Sequence, residues 1–222
     1  MAAREMFTSK RLIYRAVEET PEDLDFLHSI TLDSEGFANS NTGRLVPQNK
    51  EFTKKWKSHL ESCLIAAVVC LPSGSSPTPA VAEETASHTG AASSPEKTRP
   101  EEPRPVPIGL ISLTGSSPET AHHRNANISI DVLPAYQRKG YGSEAIGWVL
   151  GWGFQSHGLH RIGIESFSHN EGAGRLYEKL GFVPEQRKRE AMWYNGGWSD
   201  QLGFAMLEGE WRERREGASR GI

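Results

Sequence analysis

Along residues 127–132 the side chains alternate, Ile128, Ile130 and Val132 against Asn127, Ser129 and Asp131. That period of two predicts a strand with one buried face. At Pro134, which has no N–H to give to a ladder, the pattern breaks. Beyond it Ile146, Val149, Leu150 and Phe154 fall at i, i+3, i+4 and i+8, one face of a helix. The same periods place the other elements. A strand is expected over 11–17, then a helix capped by Thr20, with Pro21 first, acids in its first turn, and Leu24, Leu27 and Ile30 turned inward. The polar residues 33–45 read as a loop. A second helix starts near Pro47, with Phe52, Trp56 and Leu60 spaced by four as a core stripe. Strands follow over 64–71 and 108–113, the latter pairing with 127–132 as a hairpin, and another covers 159–166. Asn170 caps a helix through Leu176, Tyr177 and Leu180 that stops at Gly181. Phe182 opens a strand, Asn195-Gly196 is a hairpin turn, and residues 202–207 close the sheet. The order β-α-α-β-β-β-α-β-α-β-β is that of an α/β (α+β) fold, with helices flanking a sheet.

Composition interrupts this pattern once. Residues 72–107 hold eight of the thirteen prolines and no Phe, Trp or Tyr. Such a segment cannot bury enough to offset its ordering entropy, so it reads as a disordered insertion between two adjacent strands. Loop closure costs grow only with the logarithm of length, which is why a hairpin tip tolerates it. The 222 residues are otherwise expected as a single domain, 1–222, with residues 212–222 as a flexible tail. A net charge of -3 and a pI near 6.3 argue against a nucleic-acid footprint or an anionic membrane partner. No apolar run approaches a membrane span or a signal peptide, so a soluble cytoplasmic protein is expected. Cys63 and Cys70 bracket one apolar run; roughly 23 Å apart at about 3.3 Å per residue, they are reduced thiols rather than a disulfide. His122-His123 reads as a surface pair, and no His/Cys spacing suggests a metal.

The chemistry lies between the strand and the helix. Gln137-Arg138-Lys139-Gly140-Tyr141-Gly142 places two cations and two glycines in one short turn, which feeds backbone N–H groups and a helix dipole towards one point. A phosphate would be held there. A Walker loop is excluded, because Gly-Lys-Ser/Thr is absent. The dinucleotide-binding pattern is met only in a weaker form, with Ala145 in its last place and seven residues between Val132 and Gly140 where that fold turns directly. The pattern Q-x-x-G-x-G at Gln137, Gly140 and Gly142, after a strand that breaks at Leu133-Pro134, resembles the pyrophosphate loop of the GNAT superfamily of N-acetyltransferases.

The resemblance runs from Arg11 to about Trp211 and is closest over 126–182. The phrases Y-Q-R-K-G-Y-G-S-E-A, G-L-H-R-I and N-x-x-x-x-R-L-Y-E-K-L-G-F, with the closing G-G-W-S-D and M-L-E-G-E-W, are similar to the RimJ/RimL branch, which acetylates N-terminal or small-molecule amines. It implies a mixed, mostly antiparallel twisted sheet with a splayed central strand, and acetyl-CoA as acyl donor without a metal. It would put the pyrophosphate on the amides of Arg138, Lys139, Gly140, Tyr141 and Gly142 with Ser143. The pantetheine would lie beside the strand edge at Asp131, Val132 and Leu133, Asn170 against the cofactor arm, and Tyr177 next to the thioester sulfur. The segment joining the first two helices would overhang the acceptor, bringing Glu35, Phe37 and Asn39 near it.

Acyl transfer asks for such groups on its own terms. An alkyl ammonium of pKa about 10 must lose a proton, and a thiolate of pKa roughly 8.5 must leave. Tyr177 can serve as the acid, or be a packed aromatic. Relatives often carry a glutamate base on the strand before the loop; between Arg124 and Leu133 the only acid here is Asp131. Asp131 is one candidate base, a water held by Ser129 or Asn127 another, Glu165 a third. Asn170 serves as helix cap, ligand contact or both. Trp193, Tyr194 and Trp198 form a pocket wall, a dimer contact or a plain hydrophobic hairpin. The resulting expectation is an N-acetyltransferase acting on a primary amine, peptide or small molecule, by direct transfer in a ternary complex, as a monomer or homodimer. The alternative is a non-catalytic module that senses acetyl-CoA or scaffolds a partner.

Overall fold

The computed structural model describes residues 6–74 and 104–220. Among these described residues seven strands form one sheet in the order β1-β2-β3-β4-β5-β7-β6. They are β1 (Ile13–Arg15), β2 (Ile65–Leu71), β3 (Val106–Gly115), β4 (Asn125–Val132), β5 (Arg161–Phe167), β6 (Val183–Tyr194) and β7 (Gly197–Leu207). Every pairing is antiparallel except β4 with β5. The helices are α1 (Pro21–Leu32), α2 (Ser34–Ser40), α3 (Lys50–Glu61), α4 (Tyr141–Gly151), α5 (Glu171–Leu180) and α6 (Glu208–Arg220). Among the described residues no helix is long and apolar enough to cross a membrane.

Two apolar layers hold the helices to the sheet. On one face Ile146, Val149, Leu150 and Phe154 pack with Ile111, Ile128, Ile162 and Tyr177. On the other, Phe26, Leu27 and Ile30 of α1 and Leu60 of α3 meet Val68, Cys70 and Leu110. The period-two and period-3.6 readings found most of these faces, since both follow from burial on one side of an element; in α1, however, Phe26 is buried where Leu24 was expected and Leu24 is half-buried.

Thr20 caps α1 by accepting from the Asp23 amide, 3.3 Å, with Pro21 in the first turn. Asp23, read only as a first-turn acid, is buried and takes both terminal nitrogens of Arg15, at 2.7 and 2.6 Å, plus the Glu18 amide. Burial alone would raise its pKa; the Arg15 hydrogen bonds, the Glu18 amide and the Arg15 charge overcome this and hold it below the usual carboxylate range. Its contribution is therefore present above the unfolded pKa and lost as pH falls through the lower folded value. Asp23→Ala is expected to cost about 2–3 kcal/mol in urea unfolding, below the roughly 3–5 of a fully buried pair because Arg15 keeps part of its water. The loss should shrink in acid.

Several expectations need correction. Residues 33–45 are not all loop: Asp33 ends α1, then caps α2 through Gly36 N at 3.1 Å, and Phe37 is buried with its ring 6.4 Å from Phe52. A seven-residue helix holding Gly36 and Asn39 has no readable period of its own, and tertiary packing of Phe37 supplies what propensity does not. Strand β3 begins at Val106, where Leu71 pairs with it, so residues 106 and 107 belong to the sheet rather than to the expected insertion over 72–107. Most of that insertion, 75–103, lies outside the described residues. The last hairpin is longer than expected, with β7 starting at Gly197 and the turn at Asn195 (φ 46°) and Gly196 (φ 81°). Residues expected as a flexible tail, 212–222, are helical to Arg220; residues 221 and 222 lie outside the described ones. Trp211, near the start of that helix, packs 5.5 Å from Phe154 and lies under Arg215 at 4.8 Å.

Candidate active site

Strands β4 and β5 pair from Asn125↔Arg161 to Ile128↔Ile164 and then part. Residues 129–132 keep β3 on one side only. The gap opens into a cavity of about 360 Å³ lined by both strands together with Gln137, Asn170, Tyr177 and residues of α2. Leu133 donates its amide to Ile108 O at 2.9 Å, so strand alternation turns the amides of Ile130 and Val132 to the gap. Of the three edge residues, Val132 thus presents its backbone N–H, while Leu133 has spent its own on β3. Gln137 reaches back and donates Nε2 to Val132 O, 2.9 Å, fastening the loop to the strand edge.

The loop itself is bent by two left-handed residues, Arg138 (φ 60°) and Gly140 (φ 82°). Gly140 is the N-cap of α4 without a side chain to cap it. The first intrahelical bond shown at this end is Glu144 N to Gly140 O, 3.2 Å, so the amides of Tyr141, Gly142 and Ser143 point out of the helix. Glu144 would repel an anion there. It is held sideways by Arg11 Nε (2.7 Å), the Arg11 amide (2.6 Å) and Ser9 Oγ (2.7 Å). Burial would raise its pKa, yet these hydrogen bonds and the Arg11 charge leave it lowered. Arg11 also donates to Lys139 O at 3.0 Å and covers the Tyr141 ring at 4.7 Å. Lys139 donates to Ala135 O, 2.8 Å, and Ser143 Oγ to Gly140 O, 2.8 Å. A Cβ on Gly172 would lie 3.5 Å from Arg138 Nη1, so that guanidinium stands at the start of α5. A cation beside one helix N-terminus and facing another is an arrangement that an anion between them stabilises. The adoption of Arg11 and Ser9 was not legible, because 133 residues separate Arg11 from Glu144.

Asp131 and Tyr177 reach the gap from opposite faces of the sheet. Asp131 is raised above the usual carboxylate range, chiefly by burial and further by Asp33, with hydrogen bonding from Ser40 opposing. Tyr177 is buried, and burial with the nearby Asp131 charge drives its phenol far above its ordinary value. Its ring packs edge-on to Phe204 at 5.6 Å. Asn170 accepts from the Ala173 amide, 3.3 Å, and lines the same cavity, so cap and cavity wall coincide. The other base candidates line it too: Glu165 is engaged by Gln201 Nε2 at 2.7 Å, whereas Asn127 crowds the backbone at Gly163. Ser129 stands beside Asp131.

A second cavity, about 210 Å³, lies between α1, α3 and the sheet, and shares Ser40, Ser129 and Asp131 with the first. Its walls include Phe37 and all of Phe52, Trp56 and Leu60, so the stripe read as core is also a cavity wall. Only Leu60 of the three is fully buried. Phe37 and Asn41 pass this cavity on to an outer one of about 710 Å³, bounded by Glu35, residues 41–46 and the β6–β7 hairpin. Asn39 faces the β4–β5 gap instead. Tyr194 is stacked on His169 at 4.0 Å, and His169 links Ser199 Oγ (2.8 Å) with Ala38 O (3.3 Å), tying α2 to the hairpin. Trp193 and Trp198 stay exposed, edge to face at 5.0 Å. His122 and His123 are exposed on a short turn before β4.

A model of the acetyltransferase (GNAT) domain matches residues 11–183. The uncharacterized N-acetyltransferase YoaA of Bacillus subtilis (strain 168) is 39% identical over 87 residues, 39% of this chain and 49% of that protein. The spermidine N(1)-acetyltransferase of Vibrio cholerae serotype O1 is 32% identical over 109 residues, 49% of this chain and 61% of its own. The matched stretches thus span about half to three fifths of these relatives. In solved structures, the spermidine N-acetyltransferase from Vibrio cholerae in complex with CoA and spermine superposes with a TM-score of 0.67 at 22% identity, over 91% of this chain and 98% of that one. A GNAT-family acetyltransferase from Bacillus anthracis gives 0.64 at 22%, with the same coverage. At these identities the superpositions show the fold.

Proposed function

The chain belongs to the GNAT acetyltransferase family, and we propose that it moves an acetyl group from acetyl-CoA to a primary amine by direct transfer in a ternary complex. The observation that carries this reading is the meeting of two cavities at Asp131, with Tyr177 on the wall of one. Acetyl-CoA supplies an activated thioester. The amides of Arg138 to Gly142, with Ser143 and the Arg138 and Lys139 charges, suit its pyrophosphate. Of the expected edge at Asp131, Val132 and Leu133, the backbone of Val132 is the part turned to the gap, and with Asn170 lining the same cavity it suits the pantetheine arm. The Val132 amide would face the oxygen that becomes negative during attack; losing such a donor typically costs about 10²–10³ in rate.

The ammonium acceptor loses two protons as the C–N bond forms and the C–S bond breaks. Asp131 takes one and passes it to solvent. Tyr177 gives its proton to the departing sulfur and recovers one from the amide nitrogen. A carboxylate shifted towards neutral pH and a phenol that stays protonated suit these roles. The finer placing, in the RimJ/RimL-like branch and in the cytoplasm where the donor is made, rests on the matched phrases and on the donor chemistry.

The test is release of free CoA thiol from acetyl-CoA across amine acceptors, alongside Gly140→Val. Valine strains the left-handed φ and crowds Arg11, whose Nη2 would lie 3.3 Å from the new Cβ. Wild type is expected to turn over, and the variant to lose at least tenfold in CoA affinity while remaining folded by circular dichroism. Unchanged affinity in the variant would remove the loop from the donor site.

A further inference from the structure

We propose that the acceptor is a compact primary monoamine with an apolar or aromatic body, rather than a polyamine or a peptide. This rests on the transferase reading above and names its substrate class. The inner cavity reaches Asp131 and is lined by the rings of Phe37, Phe52 and Trp56 together with polar groups, Ser129 and His59 among them. Asp131 is the one acid among its lining residues, and none of them is Lys or Arg. One ammonium is therefore paired there. A second would meet aromatic rings and hydroxyl or amide groups but no second carboxylate, and these return only part of what an unpaired ammonium loses on leaving water. Asp33, which also acts on Asp131, is spent on the α2 amide of Gly36 and does not line the cavity.

Size points the same way. At about 210 Å³ the inner cavity is below the roughly 300–1,000 Å³ that drug-sized ligands occupy. Phe37 and Phe52, with centroids 6.4 Å apart and planes tilted by 60°, both line it, so an aromatic body would find two rings to pack against. The outer cavity balances one acid, Glu35, with one base, Arg44, and so provides no run of carboxylates for a polycation to follow.

The experiment compares kcat/KM for 2-phenylethylamine, spermidine and a peptide with a free, apolar N-terminus, with CoA affinity measured by calorimetry on each variant. 2-Phenylethylamine is expected to exceed the other two by at least tenfold. Trp56→Ala and, independently, Phe52→Ala are expected to raise its KM about tenfold with CoA affinity unchanged, which also certifies folding. Trp56→Glu should move preference towards spermidine. Preference of the wild type for spermidine or the peptide overturns the inference. So does an unchanged KM in both alanine variants, or silence of all three acceptors with CoA bound. Failure to bind CoA at all would instead overturn the reading on which it rests.

Discussion

Asp131→Asn is expected to lower kcat/KM for acetyl transfer by about 10²–10⁴-fold, the usual range for a lost general base, and to raise the thermal midpoint at neutral pH. Both effects have one source. Burial, then Asp33, hold the carboxyl above its ordinary pKa against hydrogen bonding from Ser40. Tyr177 from α5, Glu165 from β5 and His59 from α3 are the other titratable groups around the two cavities it joins. A carboxyl that ionises at lower pH in the unfolded chain than in the folded one favours unfolding as pH rises from the unfolded to the folded pKa, and the deficit persists above. Asparagine carries no such charge. Melting curves between pH 4 and 8 should therefore show the two proteins converging in acid and the variant more stable above. The acidic limb of the kcat/KM profile, placed by Asp131 above the ordinary carboxylate range, should vanish with it. A variant within threefold of wild-type rate would transfer the role to Glu165 or to a water on Ser129. An unchanged melting difference across pH would deny the strain.

Tyr177→Phe is expected to slow transfer by about 10²–10³-fold while leaving CoA affinity within twofold, because it removes a proton donor without altering the wall. The phenylalanine ring keeps the contacts with Phe204 and Phe182, at 5.6 and 6.1 Å, so stability should move by less than about 1 kcal/mol. Burial and the neighbouring Asp131 keep the wild-type phenol protonated well past its ordinary titration. A basic limb in the rate profile should consequently survive unchanged except in height. Acid and base act on one transition state, so the double variant should lose far less than the product of the single losses. Loss of CoA affinity in step with rate would make Tyr177 a wall and nothing more. A multiplicative double variant would separate the two residues mechanistically.

Much of the site was readable because it is local. The loop from Gln137 to Ser143 declares itself through glycine, charge and the change of period around it, all within a few residues. Tyr177 and Asn170 came with a helix whose cap and stop, Asn170 and Gly181, are both short-range devices. What escaped was non-local or ambivalent. The stripe Phe52, Trp56, Leu60 has the same spacing whether it meets core or cavity, and only Leu60 is core. Helix α2 is stabilised by the burial of Phe37, which no local period announces. Glu144 at a helix start beside cations is locally favourable; its removal from the anion's path depends on Arg11 and Ser9 across the fold.

The sequence by itself determined which face most of the strands and longer helices bury, where the last hairpin turns, and that a cationic glycine turn follows a half-buried strand, since each depends on a period or a conformational preference spanning a few residues. Tertiary structure alone decided that β4 and β5 part after Ile128 and Ile164, and that two cavities meet at the Asp131 carboxylate. A strand edge is bare only in relation to a neighbour 36 residues along the chain, Ile164 from Ile128, and a carboxyl's pKa follows from the water and charges that packing leaves around it.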